Sequence, residues 1–239
     1  TQKLFRFSLR ITSKNLTHAT LKIFLIDGHE ICLSGVLRLL YSQYPDAKIV
    51  TANTTENVLN QISLLEPDLV IMDIFLPEKQ GVTARVCTGI QLLRELLDNY
   101  PKLNIVVQSE HVKKLVRIKS AIDTHQGGFT IADKSLSSQE MLMRVSWALQ
   151  GLTHIKDIQS IYSELDIKPE CLRLLNLAFQ EGLQDKAIAE NIRVSERMVR
   201  HYWDKLQEAL GIDCHELKNQ GKNIRIITQI RAREAGLID

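Results

Sequence analysis

Four short apolar runs each end on a residue that can do chemistry. Leu21 to Ile26 ends on Asp27, and Leu69 to Met72 ends on Asp73. Leu103 to Val107 runs out at Gln108-Ser109, and Phe129 to Ala132 is followed by Asp133-Lys134. Such β-prone runs read as buried parallel strands, and ligand sites of open α/β sheets lie at the carboxyl ends of the strands. The plain alternative for Asp73 is a strand stop before the turn at Pro77. A second constellation lies far along the chain, where Arg197, Arg200 and His201, flanked by Lys205, share one side of a helical pattern. Arg can take guanine edges or phosphates, and His can contact either, whereas the plain alternative is a solvated helix face.

The first constellation needs a sheet to gather it. From Leu21 strands alternate with helical patterns, the signature of a right-handed parallel βαβ sheet. Helices are expected at Ile31 to Tyr41, Thr55 to Leu65, Ile90 to Asn99, Val112 to Ile122 and Ser138 to Gln150, the last capped by Ser137. Ala47 to Thr51 reads as a further short strand. Val82 to Gly89 reads as an insertion before the third helix. Phe5, Phe7, Leu9 and Ile11 alternate with polar residues, the pattern of an extra strand, with a loose arm as the alternative. The expected fold is α/β, a five-stranded parallel sheet between two helical layers.

The second constellation needs a helix that is firmly seated. Leu152 to Leu165 has apolar residues at helical spacing and reads as a linker helix. Beyond it the chain is helical. Pro169 opens one helix, stopped at Gly182, and Gln184 to Asn191 forms a short second. Glu196 to Leu210 forms a third, capped by Ser195 and stopped by Gly211. Val199, Trp203, Leu206 and Leu210 share the side expected to be core. Two helices joined by a tight turn, the second capped and polar on its outer face, fit a helix-turn-helix.

Composition sets the outer bounds. The 239 residues suffice for two ordinary domains, and 44% hydrophobic with 24% charged residues is globular. Net charge is +2, so a nucleic acid must be met by a local surface. Between residues 168 and 239 twelve Lys/Arg stand against eleven Asp/Glu, so DNA affinity is expected to be modest and dependent on dimerisation. Cys32, Cys87, Cys171 and Cys214 have no metal-ligand spacing and read as reduced thiols. With no apolar leader or spanning stretch, a cytoplasmic protein without membrane contact is expected.

Strand ends offering Asp, Asp, Ser and Lys in chain order resemble the receiver domain of two-component response regulators, which has a CheY-like (flavodoxin-like) fold. Asp73 to Gly81, D-I-F-L-P-E-K-Q-G, is similar to that family's D-x-x-M-P-x-x-x-G segment. The resemblance implies Asp73 as phosphoacceptor, Asp27 and Asp73 as Mg²⁺ ligands, Ser109 and Lys134 as the switch pair, and Phe129 as the aromatic switch residue. Three departures stand out. Gly28 occupies the position of a second acidic residue, so Mg²⁺ binding is expected to be weak or lost. Glu110 follows Ser109 where a small residue is usual, and it either points inward or is solvated; Glu30 and Glu110 could also substitute as ligands. Lys134 comes two residues late by direct counting from Gly128, which would put Ala132 in its place.

Downstream, the E-G-L-Q-D-K-A-I-A-E-N-I-R-V-S-E-R-M-V-R segment and the ending R-A-R-E-A-G-L-I resemble the LuxR-type DNA-binding domain of the NarL/FixJ class. Asp204 and Tyr202 depart from it, and Cys214 to Asn223 reads as an insertion. Together the resemblances cover nearly all of the chain beyond residue 20. They imply an N-terminal extension (1–20), a receiver (21–150), a linker helix (151–167) and an all-α helix-turn-helix domain (168–239). The implied function is promoter binding, as a homodimer or as a heterodimer with another regulator, through Arg197, Arg200, His201 and Lys205. The receiver is expected to be phosphorylation-independent or weakly phosphorylated, with a sensor histidine kinase as a partner in the second case. The rivals are a conventional regulator activated at Asp73 and an adaptor that binds protein instead of DNA. An enzyme is not expected, since no nucleophile-base constellation or phosphate-cradling loop is found.

Overall fold

The computed structural model describes residues 20–156 and 168–238. The expected strand at Phe5 to Ile11 and most of the expected linker helix lie outside those residues.

The apolar runs form parallel strands β1 (Lys22–Ile26), β2 (Lys48–Ala52), β3 (Leu69–Met72), β4 (Asn104–Ser109) and β5 (Phe129–Asp133). A sixth, β6 (Thr153–His154), pairs with β5, giving the order β2-β1-β3-β4-β5-β6 among the described residues. The expected five-stranded sheet is thus one strand short. The extra strand comes from the start of the presumed linker, where Phe129 N donates to Leu152 O at 3.1 Å.

Alternation along the strands divides the core into two layers. Ile23, Leu25, Ile71 and Val106 pack with α1 (Glu30–Gln43) and α5 (Ser138–Leu149) through Val36, Leu40, Met141 and Val145. Phe24, Met72, Val107 and Ile131 pack on the other side with α2 (Val58–Leu65) and α3 (Val86–Asn99). Each large aliphatic side chain taken fully out of water contributes roughly 1.5–3 kcal/mol. Helix α5 begins with a reciprocal cap, in which Glu140 N donates to Ser137 Oγ and Ser137 N donates to the Glu140 carboxylate.

Two helices differ from expectation. α3 starts at Val86, so much of the presumed insertion is helical, and what remains is pinned by a bridge between Leu76 and Arg85. Gly89 lies inside that helix where it passes the strand-end loop, and a Cβ there would lie 2.2 Å from Ile74 O. The glycine that closes the presumed insertion is here a close-approach residue inside the helix. The fourth helix is split into a 3₁₀ segment (Val112–Ile118) and a short α4 (Lys119–Thr124). Seven residues is long for a 3₁₀ run, whose hydrogen bonds are poorer than those of an α-helix.

The second unit comprises α6 (Pro169–Phe179), α7 (Asp185–Ile192), α8 (Glu196–Ala209), α9 (Cys214–Asn219) and α10 (Ile224–Glu234). The presumed insertion at Cys214 to Asn223 therefore contains a helical turn of its own, capped by Asp213. Trp203 is buried, donates to Asp185 Oδ1 at 3.1 Å and lies under the Arg225 guanidinium, which itself pairs with Asp185. That triad fastens α7, α8 and α10 together.

The two units share one apolar cluster. Leu237 and Ile238, just beyond α10, are each only 3% exposed, and Arg117 Nε in the 3₁₀ segment donates to Gly236 O at 2.9 Å. Gly236 has φ +76°, and a Cβ there would press on the Lys113 backbone at 3.3 Å. Among the described residues, no helix is long and apolar enough to cross a membrane. All four cysteines are free thiols.

Candidate acidic site and nucleic-acid interface

β1 and β3 are hydrogen-bonded neighbours with Ile26 opposite Met72, so the next residue of each strand, Asp27 and Asp73, emerges at the same edge. The chain reverses direction across the sheet between these strands, the usual place for a site in an open α/β sheet. Each carboxylate is only 3% exposed, and its neighbours account for the burial. Asp27 Oδ1 accepts from His29 N at 2.7 Å. Asp73 Oδ1 accepts from Phe75 N at 3.0 Å and from Ser109 Oγ at 2.6 Å.

Lys134 reaches in from just beyond β5. Its Nζ lies 2.9 Å from Asp27 Oδ2 and 2.7 Å from Asp73 Oδ2. Burial alone would lower the pKa of this ammonium, but hydrogen bonds and charge attraction from Asp73 and Asp27 outweigh it and hold the pKa above its ordinary 10.5. The late position of Lys134 is absorbed locally. β5 runs on to Asp133, whose carboxylate accepts from Ser135 N and Oγ in a turn that follows Lys134. Ala132, the alternative by direct counting, is buried in the core.

The structure thus brings Asp27, Asp73, Ser109 and Lys134 together. Phe129 stands apart: it is fully buried at the start of β5, at the end of the strand away from these groups, with its ring against His125. Glu30 and Glu110 are exposed, and neither belongs to the cluster. Sequence reasoning missed His29. Its ring nitrogen and the two carboxylates have ligand atoms within 4.8 Å of one another. It also missed the rim, where Phe75 stacks on His29 with centroids 6.2 Å apart and meets the edge of His111 at 5.4 Å. The signal for His29 was its place two residues after a strand-end Asp, the interval at which a loop turns back over the site.

The residues as they stand do not fit Mg²⁺. All four oxygens of Asp27 and Asp73 already accept from protein donors, and an ammonium lies between the carboxylates. A Cβ on Gly28 would lie 3.1 Å from Pro77 Cδ, close enough that the proline would have to shift by a few tenths of an ångström to admit a side chain there.

On the second unit, α8 buries Val199, Trp203 and Leu206 and turns Arg197, Arg200, His201, Asp204 and Lys205 outward. Ser195 accepts from Met198 N and fixes the start of the helix. Lys205 pairs with Glu208 at 2.9 Å on the surface, which tempers its charge. The outward face is therefore cationic toward the N-terminal half of α8 and mixed beyond it.

Comparison with known proteins gives a consistent result. A family model described as response regulator receiver domain matches residues 23–146. The chain is 23% identical over 203 residues to the DNA-binding transcriptional activator DevR/DosR of Mycobacterium tuberculosis, spanning 80% of this chain and 89% of that protein. It is 26% identical over 223 residues to the transcriptional regulatory protein DesR of Bacillus subtilis, spanning 90% and 98%. Among solved structures, a two-component response regulator RcsB–DNA complex has a similar fold, with TM-score 0.55 at 17% identity, covering 90% of this chain and 98% of that one.

Proposed function

Because the chain belongs to the response regulator receiver domain family, we propose that it is a transcriptional regulator of the NarL/FixJ class that binds promoter DNA through α8. The observation that carries this reading is the exposed Arg197, Arg200, His201 and Lys205 on a capped helix whose opposite face is locked into the bundle by Val199, Trp203 and Leu206. Half of a recognition helix must be rigid if the other half is to read a groove. Its relatives' names point the same way, to transcriptional activators and regulators. The reading divides the chain into a receiver at 21–150, to whose sheet β6 at the start of the linker adds a strand, a linker at 151–167 and a DNA-binding unit at 168–239, acting in the cytoplasm.

The receiver is read as partly degenerate. Asp73 is the would-be phosphoacceptor, with Ser109 and Lys134 as its switch partners. Gly28 and the engaged oxygens of Asp27 and Asp73 support phosphorylation that is weak or absent, with a histidine kinase as partner only in the first case. Dimerisation is part of the reading, because a nearly neutral DNA-binding unit gains from two half-sites. Ile226 and Ile230, one turn apart on α10 and 53% and 45% exposed, offer an apolar stripe for it.

The test is DNA binding by the full chain, with and without acetyl phosphate and Mg²⁺, beside Asp73→Ala. Equal, sequence-specific binding in all samples is expected. Binding that rises with the phosphodonor and is lost in Asp73→Ala would replace this reading with a conventional phosphorylation switch. Absence of specific binding at low salt would replace it with a protein-binding adaptor.

A further inference from the structure

A cleft of about 700 Å³ lies between the units, walled by α3, by the 3₁₀ segment with α4, and by α6, with Leu237 at its side. Its charge is one-sided. Arg94, Arg117, Lys119 and Arg173 line it, and no Asp or Glu does among the described residues, although the chain as a whole has nearly as many acids as bases. Arg94 comes from α3 and Arg173 from α6, so guanidinium groups approach from both units. One arm of Arg173 donates to Asn191 Oδ1 at 3.1 Å, a neutral partner that leaves its charge in place. Lys119 is paired with Asp123 and adds less.

The remaining lining supplies both kinds of contact that an organic anion needs. Gln91, Ser120 and Asn176 offer neutral donors, while Ile90, Leu172 and Leu237 offer apolar surface. A cleft of this size falls within the roughly 300–1,000 Å³ of small-molecule sites, which favour domain interfaces. Guanidinium forks match the oxygens of a phosphate group, and several forks suit more than one phosphate.

We propose that this cleft binds a small organic phosphate, a polyphosphate carrying an apolar body of nucleotide size, and that binding fastens the two units together. No residue of α8 lines the cleft, and neither does Asp73, so its occupancy does not depend on either. It would give the chain a chemical input that needs no kinase.

Calorimetric titration of the full chain, with three probes and chelator present, tests this. ATP carries both charge and body, tripolyphosphate carries charge alone, and adenosine carries the body alone. Saturable one-to-one binding of ATP is expected, tighter than that of either partial probe. Loss of two charge-assisted contacts in Arg94→Ala with Arg173→Ala is expected to weaken it by at least about tenfold. Both side chains are exposed, so the variant should keep the melting temperature of the parent. Arg197→Ala with Arg200→Ala should bind ATP as the parent does, which separates the cleft from the DNA face. No saturable ATP binding at millimolar concentration, equal binding by the cleft variant, or loss in the α8 variant would each overturn the proposal.

Discussion

Replacing Lys134 by alanine removes the ammonium that bridges Asp27 and Asp73 at 2.9 and 2.7 Å. Two nearly buried carboxylates are then left facing each other, with oxygens within 4.8 Å. At that separation two unit charges repel by about 3.5 kcal/mol for an effective dielectric constant near 20. Removing one partner of a buried ion pair generally costs roughly 3–5 kcal/mol, so the two routes agree. The variant can relieve the repulsion by taking up a proton or a cation. In chelator at neutral pH it should therefore be about 3 kcal/mol less stable than the parent. Mg²⁺ at a hundred times its dissociation constant should return about 2.7 kcal/mol of that. The assay is urea denaturation followed by circular dichroism, with EDTA or with MgCl₂, for both proteins. The parent's midpoint should not respond to Mg²⁺, and that of Lys134→Ala should rise. A parent that responds as strongly as the variant, or a variant as stable as the parent in EDTA, would refute the claim that Lys134 occupies the place of a cation.

Three further outcomes are expected. The Lys134 ammonium has a pKa raised above the unfolded value of 10.5, so its contribution to stability is complete below that value and is lost as pH rises through the folded one; alkaline denaturation should be steeper in the parent than in Lys134→Met, as read from midpoints above pH ~10.5. Gly89→Ala places a methyl group 2.2 Å from Ile74 O and should cost about 3 kcal/mol or more, since backbone must move, whereas Gly35→Ala, in α1 with open space around it, should be harmless; thermal melts compare the two. Arg200→Ala should weaken DNA binding and lower the slope of log affinity against log salt by about one, and Asp204→Ala should strengthen binding with little change in that slope, as measured by fluorescence anisotropy over a salt series.

The edge of the sheet was legible because its chemistry depends on order along the chain. A polar residue closing each apolar run must appear wherever that run ends, and parallel strands put those ends together. Lys134 was legible from its flanking residues despite its awkward count, because a long flexible side chain tolerates an offset of the backbone. His29 and the Phe75 rim were not, since ring contacts across three loops leave no periodic trace. Gly89 was misread for a similar reason: a glycine at a helix start and one at a helix–loop crossing look alike until the crossing partner is known. The sixth strand was hidden in a segment whose apolar spacing also suits a helix, and pairing with β5 decided between them. On α8 the buried and exposed faces were both readable, because 3.6-residue periodicity survives without tertiary information.

The 3₁₀ segment between Ser109 and the seat of Gly236 has a mechanical consequence. A 3₁₀ helix rises about 2.0 Å per residue and an α-helix about 1.5 Å. Rewinding its seven residues from one form to the other would change its length by roughly 3.5 Å. One end follows the hydroxyl that holds Asp73, and the other carries the arginine that grips the tail of α10. A change in hydrogen-bond pattern along about two turns of backbone would therefore convert to linear travel against the second unit, and the stroke is comparable to the spacing of successive base pairs.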